Sequence, residues 1–204
     1  GTFSFYPSKN IGALGDGGMV VTDDDALAKQ VRMMRNYGQS EKYHHVTKGF
    51  NRRLDTLQAA FLSVKLAGLD SANESRAKRA AQYSEALAGT HVTPPPPDDE
   101  SIRSVWHLYV IRTSTRDELQ SFLQGRGIST GIHYPIPIHF QPPFRTLAGD
   151  FPVAERLADE VLSLPMYADL SSESVNRVAD AIREFDAGLL ADIQAGDTAA
   201  RTEA

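Results

Sequence analysis

The sequence predicts an α/β fold in which short strands alternate with amphipathic helices, and three observations carry that prediction. Runs rich in aromatic and β-branched residues fall at residues 2–6, 19–22 and 105–113. Apolar residues elsewhere recur at spacings of three and four, as at Leu54, Leu57, Phe61 and Val64, which is the period of one helix face. A lysine, Lys9, stands between the first strand-like run and a turn containing Gly12, Gly15, Gly17 and Gly18, just past a strand end, where α/β enzymes place reactive groups.

The elements follow in order. Pro7 stops the first strand, because proline has no N–H for a ladder. Residues 19–22 read as a short buried strand. Asp23, Asp24 and Asp25 suit a helix start, Leu27, Val31 and Met34 form its apolar face, and Lys29, Arg32 and Arg35 favour its C-terminal end. Asn36, Tyr37 and Gly38 close that helix. Residues 39–50 are polar and are expected to be irregular. A helix is expected over 51–66, paused at Gly68, with a second over 71–87 carrying Arg76, Lys78 and Arg79 on its polar side. The proline tract at 94–97 can be neither helix nor central strand and reads as a stiff surface loop. Thr115 with Glu118 spells a capping box ahead of the stripe Leu119, Phe122 and Leu123, and Gly125 and Gly127 bracket the helix end. Residues 129–134 are expected to be extended, and four prolines between 135 and 143 hold an irregular loop. Pro152 opens a helix whose apolar residues are Leu157, Val161 and Leu162. The last helix starts at Ser171–Glu173 and turns Val175, Val178, Ile182 and Phe185 inward. From Gly188 the Ala-, Asp- and Thr-rich tail is expected to be disordered.

The 204 residues suffice for one large domain or two small ones, and 41% hydrophobic with 23% charged residues is an ordinary globular mix. A formal net charge of −5 argues against a nucleic-acid or anionic-membrane surface. The absence of cysteine excludes disulfides and thiolate metal sites. No apolar run reaches membrane-spanning length and no signal peptide is visible, so a cytoplasmic protein is expected. Gly1 is not a natural initiator, and the chain opens inside a strand-like run, as a partial reading frame or a truncated chain would.

Among candidate chemical groups, Lys9 reads either as a solvated surface lysine or as a reactive amine. The second requires desolvation or nearby positive charge to keep the amine neutral part of the time. His44 and His45 read as exposed loop histidines with no third ligand at metal spacing, and no metal site is expected.

The spelling adds a resemblance. The segment S-F-Y-P-S-K-N-I-G-A-L-G-D-G-G closely resembles the Schiff-base segment of the DegT–StrS sugar-nucleotide aminotransferases. The resemblance continues at Gly49–Asp55 with Gln58, Ala59 and Ala60, at Trp106–Tyr109, at Ile132–Pro135 and at Leu162–Met166. It covers residues 1–187 in the family's order. It implies the fold-type-one architecture of pyridoxal-phosphate aminotransferases: residues 1–66 as the C-terminal part of the cofactor-binding large domain, and 67–187 as a connecting helix and a small α+β domain. Residues 188–204 form the tail. Lys9 would be both imine partner and proton carrier. Ser4 resembles a serine bonded to the cofactor phosphate, its plainer reading being a solvent-facing strand serine. Asn51 resembles an asparagine that reaches the neighbouring subunit's phosphate, implying a homodimer, and it could equally cap a helix. Arg53 matches a basic position near phosphate. His133, Tyr134 and His139 fall on a loop that approaches the sugar in the family, although structural histidines would fit as well.

The resemblance implies an aminotransferase moving an amino group from an amino acid, glutamate being expected, to a nucleotide-linked keto-sugar. The run Lys48–Asn51 with residues 61–66 resembles the members that aminate C3 of deoxysugars, which implies a dTDP-3-oxo-6-deoxyhexose as acceptor. Related dehydratases carry histidine at the Schiff-base position, which Lys9 argues against. Family members are about twice this long, and their ring-pairing aspartate, stacking aromatic and phosphate loop lie upstream of the lysine. The expectation is therefore a C-terminal half that turns over little by itself. The competing reading is a non-catalytic or regulatory protein that kept the fold.

Overall fold

The computed structural model describes residues 1–144 and 149–202, and the chain divides into two compact units, Gly1–Ala72 and Asn73–Ala204. The sequence set this division after residue 66.

In the first unit β1 (Thr2–Ser4) pairs antiparallel with β2 (Gly18–Val20), with Phe3 opposite Met19. The chain between them is tied back on itself: the Phe5 N–H donates to the Gly17 carbonyl and the Ala13 N–H to the Phe5 carbonyl, both at 2.8 Å. β1 ends before the expected residue 6 because Phe5 turns inward, buried with Ala13 and Leu62 and packed against Ile11 and Leu54. The second strand is not buried as expected. Met19, Val20 and Val21 are 48, 45 and 44% exposed, because among the described residues the pair forms a two-stranded sheet of its own.

Helix α1 (Asp25–Met34) starts as the three aspartates predict, with the Asp24 carboxylate accepting the Leu27 N–H at 3.0 Å. Gly38 follows with φ +71°, and a Cβ there would lie 1.8 Å from the Thr47 carbonyl oxygen, so only glycine fits. The stretch expected to be irregular instead holds β3 (Gln39–Glu41) and β4 (His44–His45), antiparallel to each other. The Gly38 carbonyl accepts the Val46 N–H at 2.9 Å, a tertiary tie with no periodic signature. Helix α2 (Thr56–Leu66) begins later than residue 51, with Asp55 at its N-cap. The stripe read as its inward face is not the buried one: Leu62 is buried, whereas Leu57 and Val64 are exposed.

Past Gly68 comes α3 (Leu69–Ala86), whose residues from Asn73 on belong to the second unit. That unit continues with β5 (Tyr109–Arg112), α4 (Arg116–Gly125), α5 (Pro152–Glu160), β6 (Val161–Leu164) and α6 (Ser172–Thr202). β5 and β6 are antiparallel, Tyr109 opposite Leu164 and Ile111 opposite Leu162, flanked by single bridges Thr93–Arg112 and Gly131–Ser163. Tyr83, Leu87, Ile111, Leu119, Leu123, Leu162, Val175 and Ile182 are fully buried in one core. Each such burial contributes on the order of 1.5–3 kcal/mol.

Five expectations are corrected in this unit. The strand expected from 105 begins at Tyr109, after Trp106 at φ +46°. The helix expected to include Val161 and Leu162 ends at Glu160, and residues 161–164 are the strand β6, because β5 supplies a ladder partner and Leu162 and Leu164 fill the core. Thr115 stands at the α4 N-cap, but its side chain makes no cap bond. Its hydroxyl lies 3.1 Å from His91 Nε2 and 3.0 Å from Thr113 Oγ1. Arg76, read as polar-side, is 8% exposed; its Nη1 donates to the Trp106 and Met166 carbonyls, both at 3.2 Å, and burial lowers its pKa. The backbone of α6 also runs to Thr202, past the residue 188 where a tail was expected. Alanine and leucine are strong helix formers, and composition alone underweighted them. Among the described residues no helix is long and apolar enough to cross a membrane.

Candidate functional site

Lys9 is half-buried and sits in the loop between β1 and β2. Its N–H donates to the Tyr6 carbonyl at 2.9 Å, closing a turn over Pro7 and Ser8. The glycine that follows is dictated by close approach: a Cβ on Gly12 would lie 2.1 Å from the Pro7 carbonyl oxygen. Two side chains from α2 then hold the loop. Lys65 Nζ donates to the Gly12 carbonyl at 2.9 Å, and Gln58 Oε1 accepts the Leu14 N–H at 2.7 Å. Sequence reasoning gave neither residue this role. Their signal is spacing, since residues seven apart lie on one side of a helix.

Ser4 is exposed, and its Oγ accepts the Tyr6 N–H at 3.3 Å. Asn51 is exposed and forms a backbone bridge with Asn36; it is not the α2 N-cap, a position held by Asp55 without a side-chain cap bond. Arg53 Nη1 donates to Asn36 Oδ1 at 2.6 Å and its guanidinium lies 5.1 Å from the Tyr37 ring centroid. A concavity in this unit is lined by β2, Arg32, Arg35, Arg52 and Leu54, and includes none of Ser4, Lys9, Asn51 or Arg53. His44 and His45 are exposed in β4, with His45 Nδ1 2.9 Å from the Tyr37 carbonyl. Among the described residues no group of three His, Cys, Asp or Glu could hold a metal ion.

In the second unit the structure gathers His133, Tyr134 and His139 around one groove of about 510 Å³, whose other walls include Pro137, Ile138, Phe151, Ala154 and Leu157. His133 Nδ1 lies 2.9 Å from Ser163 Oγ. His139 Nε2 lies 2.9 Å from Glu155 Oε1, and its ring packs at 4.3 Å from Phe140 and 4.8 Å from Phe151. The sequence reading gave no role to Glu155, nor to Ser163, which it noted only within the run Leu162–Met166. Their partners are distant along the chain, and a serine in a strand or a glutamate in a helix carries no local mark.

This backbone and the Lys9 loop are those of a known class. Residues 1–183 match the model of the DegT/DnrJ/EryC1/StrS aminotransferase family, and the chain belongs to that family. It is 50% identical over 186 residues to dTDP-3-amino-3,4,6-trideoxy-alpha-D-glucose transaminase of Streptomyces venezuelae, covering 90% of this chain and 49% of the relative. It is 47% identical over 191 residues to a protein of Geobacillus stearothermophilus named pleiotropic regulatory protein, covering 90% of this chain and 51% of that one. It superposes on the crystal structure of S. venezuelae DesV with a TM-score of 0.86 at 48% identity, over 91% of this chain and 51% of that chain. The chain therefore has the aminotransferase fold, and it spans about half the length of the curated relatives it matches.

The family's cofactor is pyridoxal phosphate. The residues present fit one part of it: an amine at Lys9 on a loop whose backbone is fixed from both sides, and a hydroxyl at Ser4 on the adjoining strand.

Proposed function

We propose that this chain contributes Lys9 to a pyridoxal-phosphate-dependent aminotransferase that moves an amino group from an amino acid to a nucleotide-linked keto-sugar. The observation that carries the reading is the Lys9 loop: a half-buried lysine on a loop backbone-fixed at residues 6, 12 and 14, in a chain that belongs to an aminotransferase family. The S. venezuelae relative, named a dTDP-3-amino-3,4,6-trideoxy-alpha-D-glucose transaminase, supports a dTDP-linked 3-oxo-deoxyhexose as acceptor, and glutamate is the donor that the sequence resemblance implies. The cofactor, when bound, supplies the electrophilic carbonyl and the electron sink. The chain's own task is to hold it covalently through Lys9 Nζ, release it to the donor, and carry a proton on the freed amine. Ser4 and Arg53 would contact the phosphate, Asn51 would reach the phosphate of a second subunit in a homodimer, and His133 and Tyr134 would contact the sugar. The C-terminal part of a large domain, a connecting helix and a small α+β domain, a cytoplasmic location and a requirement for residues matching the half of the relatives that this chain does not span belong to the same reading.

Borohydride reduction after incubation with pyridoxal phosphate, followed by digestion and mass spectrometry, tests it. Labelling is expected at Lys9 over the other lysines, and Lys9→Ala in the complete protein is expected to lower amino transfer by at least roughly a hundredfold. Scattered labelling with unchanged transfer in Lys9→Ala removes Lys9 from the chemistry. The similarity to a protein named as a pleiotropic regulator favours a second reading, a regulatory protein on the same fold. Absence of amino transfer by the unaltered complete protein would select it.

A further inference from the structure

The groove of the second unit treats its two histidines differently. His139 is spent within the protein: its Nε2 faces Glu155, its ring is flanked by Phe140 and Phe151, and its side chain is 11% exposed. It is a wall of the groove. His133 is exposed on the same groove, with Nδ1 engaged by Ser163 and no hydrogen-bond partner for Nε2 among the described residues. The ring also sits unusually close to the backbone. A Cβ added to Gly131 would lie 2.9 Å from His133 Cε1, so any larger residue there would push the ring out of its place. Ser163 is itself firmly held. It is 4% exposed, lies in β6 opposite Val110, and exchanges two backbone hydrogen bonds with Gly131, at 2.7 and 3.1 Å.

We propose that Ser163 and Gly131 are positioning residues that aim His133 Nε2 at the nucleotide-linked sugar, while Glu155 and His139 serve only to shape the groove wall. A fixed imidazole loses little rotamer freedom when a ligand binds, and an engaged Nδ1 dictates which role Nε2 plays. The proposal rests on the reading of His133 as a sugar contact. It adds that the contact is made competent from β6, by a serine that touches no ligand.

The test is a double-mutant cycle on the complete protein. The probe is dTDP-3-amino-3,4,6-trideoxyglucose, its Kd read by calorimetry, with the glutamate half-reaction measured alongside. His133→Ala is expected to weaken binding about tenfold and Ser163→Ala about three- to tenfold, a hydrogen bond's usual worth. In the double variant Ser163→Ala is expected to add nothing, because its effect passes through the imidazole. Gly131→Ala is expected to reproduce the Ser163→Ala loss, and the glutamate half-reaction to fall by less than sugar binding in each variant. An undiminished Ser163→Ala effect in the His133→Ala background, or an equal loss in the glutamate half-reaction, overturns the positioning role and leaves His133 as a contact. Unchanged Kd in His133→Ala instead removes the sugar-contact reading itself, and the positioning role with it.

Discussion

Arg76 shows at the scale of one residue how a side chain that looks solvated can be structural. Its stem lies along α3 while its guanidinium serves carbonyls of two other segments, near Trp106 and Met166, which helix periodicity cannot see. Tyr83 and Tyr109 are the complementary case, aromatic residues whose polar tips are buried with partners. The Tyr83 hydroxyl donates to the Pro165 carbonyl at 3.1 Å, and the Tyr109 hydroxyl lies 2.9 Å from Ser84 Oγ. Burial pushes both phenols above their ordinary value, Tyr83 further because the neighbouring Tyr109 and Tyr167 add to it. The unfolded chain releases these protons near pH 10 while the folded protein keeps them. Stability is therefore full below about pH 10 and falls as pH rises past it toward the folded values. Alkaline titration followed at the phenolate absorbance is expected to show Tyr83 and Tyr109 ionising above the ordinary phenol range, Tyr83 the later of the two. All seven tyrosines titrating together in folded protein would contradict this.

At the scale of the element, the Lys9 loop is governed by glycine. The sequence exposed the glycines but not which one is indispensable, because close approach depends on where the chain returns. Gly12 is the tightest in the loop: an added methyl would have to displace the Pro7 carbonyl. Gly12→Ala is expected to destabilise the first unit by about 2–4 kcal/mol and to lower cofactor labelling at Lys9. Gly68→Ala, whose Cβ would meet only the Lys65 carbonyl at 3.9 Å, is expected to change little. Chemical denaturation of both variants, with labelling measured in parallel, checks the contrast, and equal effects would remove it. The capping box at Thr115 is the opposite lesson. The motif is present, but the hydroxyl that should cap α4 is occupied by His91 and Thr113.

At the scale of the whole molecule, the two units differ in how much core they own. Among the described residues the second buries eighteen hydrophobic residues in one cluster, and the first only Phe5, Ala13 and Leu62. Local stability follows buried apolar contact, so the units should open at different free energies. Amides of β5, β6 and the first turns of α6 are expected to exchange with deuterium at least about a hundredfold more slowly than those of β1 and β2. Equal protection in the two sets would show that the first unit has stabilising contacts beyond its own small core.

The sequence by itself determined the class of fold, the order of the helices and the place of the lysine, because helix periods, caps and the spelling around Lys9 are local. It also named His133, Tyr134 and His139, which the structure gathers around one groove. Tertiary structure alone decided that residues 161–164 are a strand, since their pairing partner stands some fifty residues earlier. It decided that Arg76 is buried, that Gln58 and Lys65 hold the Lys9 loop, and that Ser163 and Glu155 fix the two histidines. Each of those outcomes depends on a partner distant in sequence. Propensity and spacing report only what a residue prefers among its neighbours, and burial and hydrogen bonding across the fold override that preference.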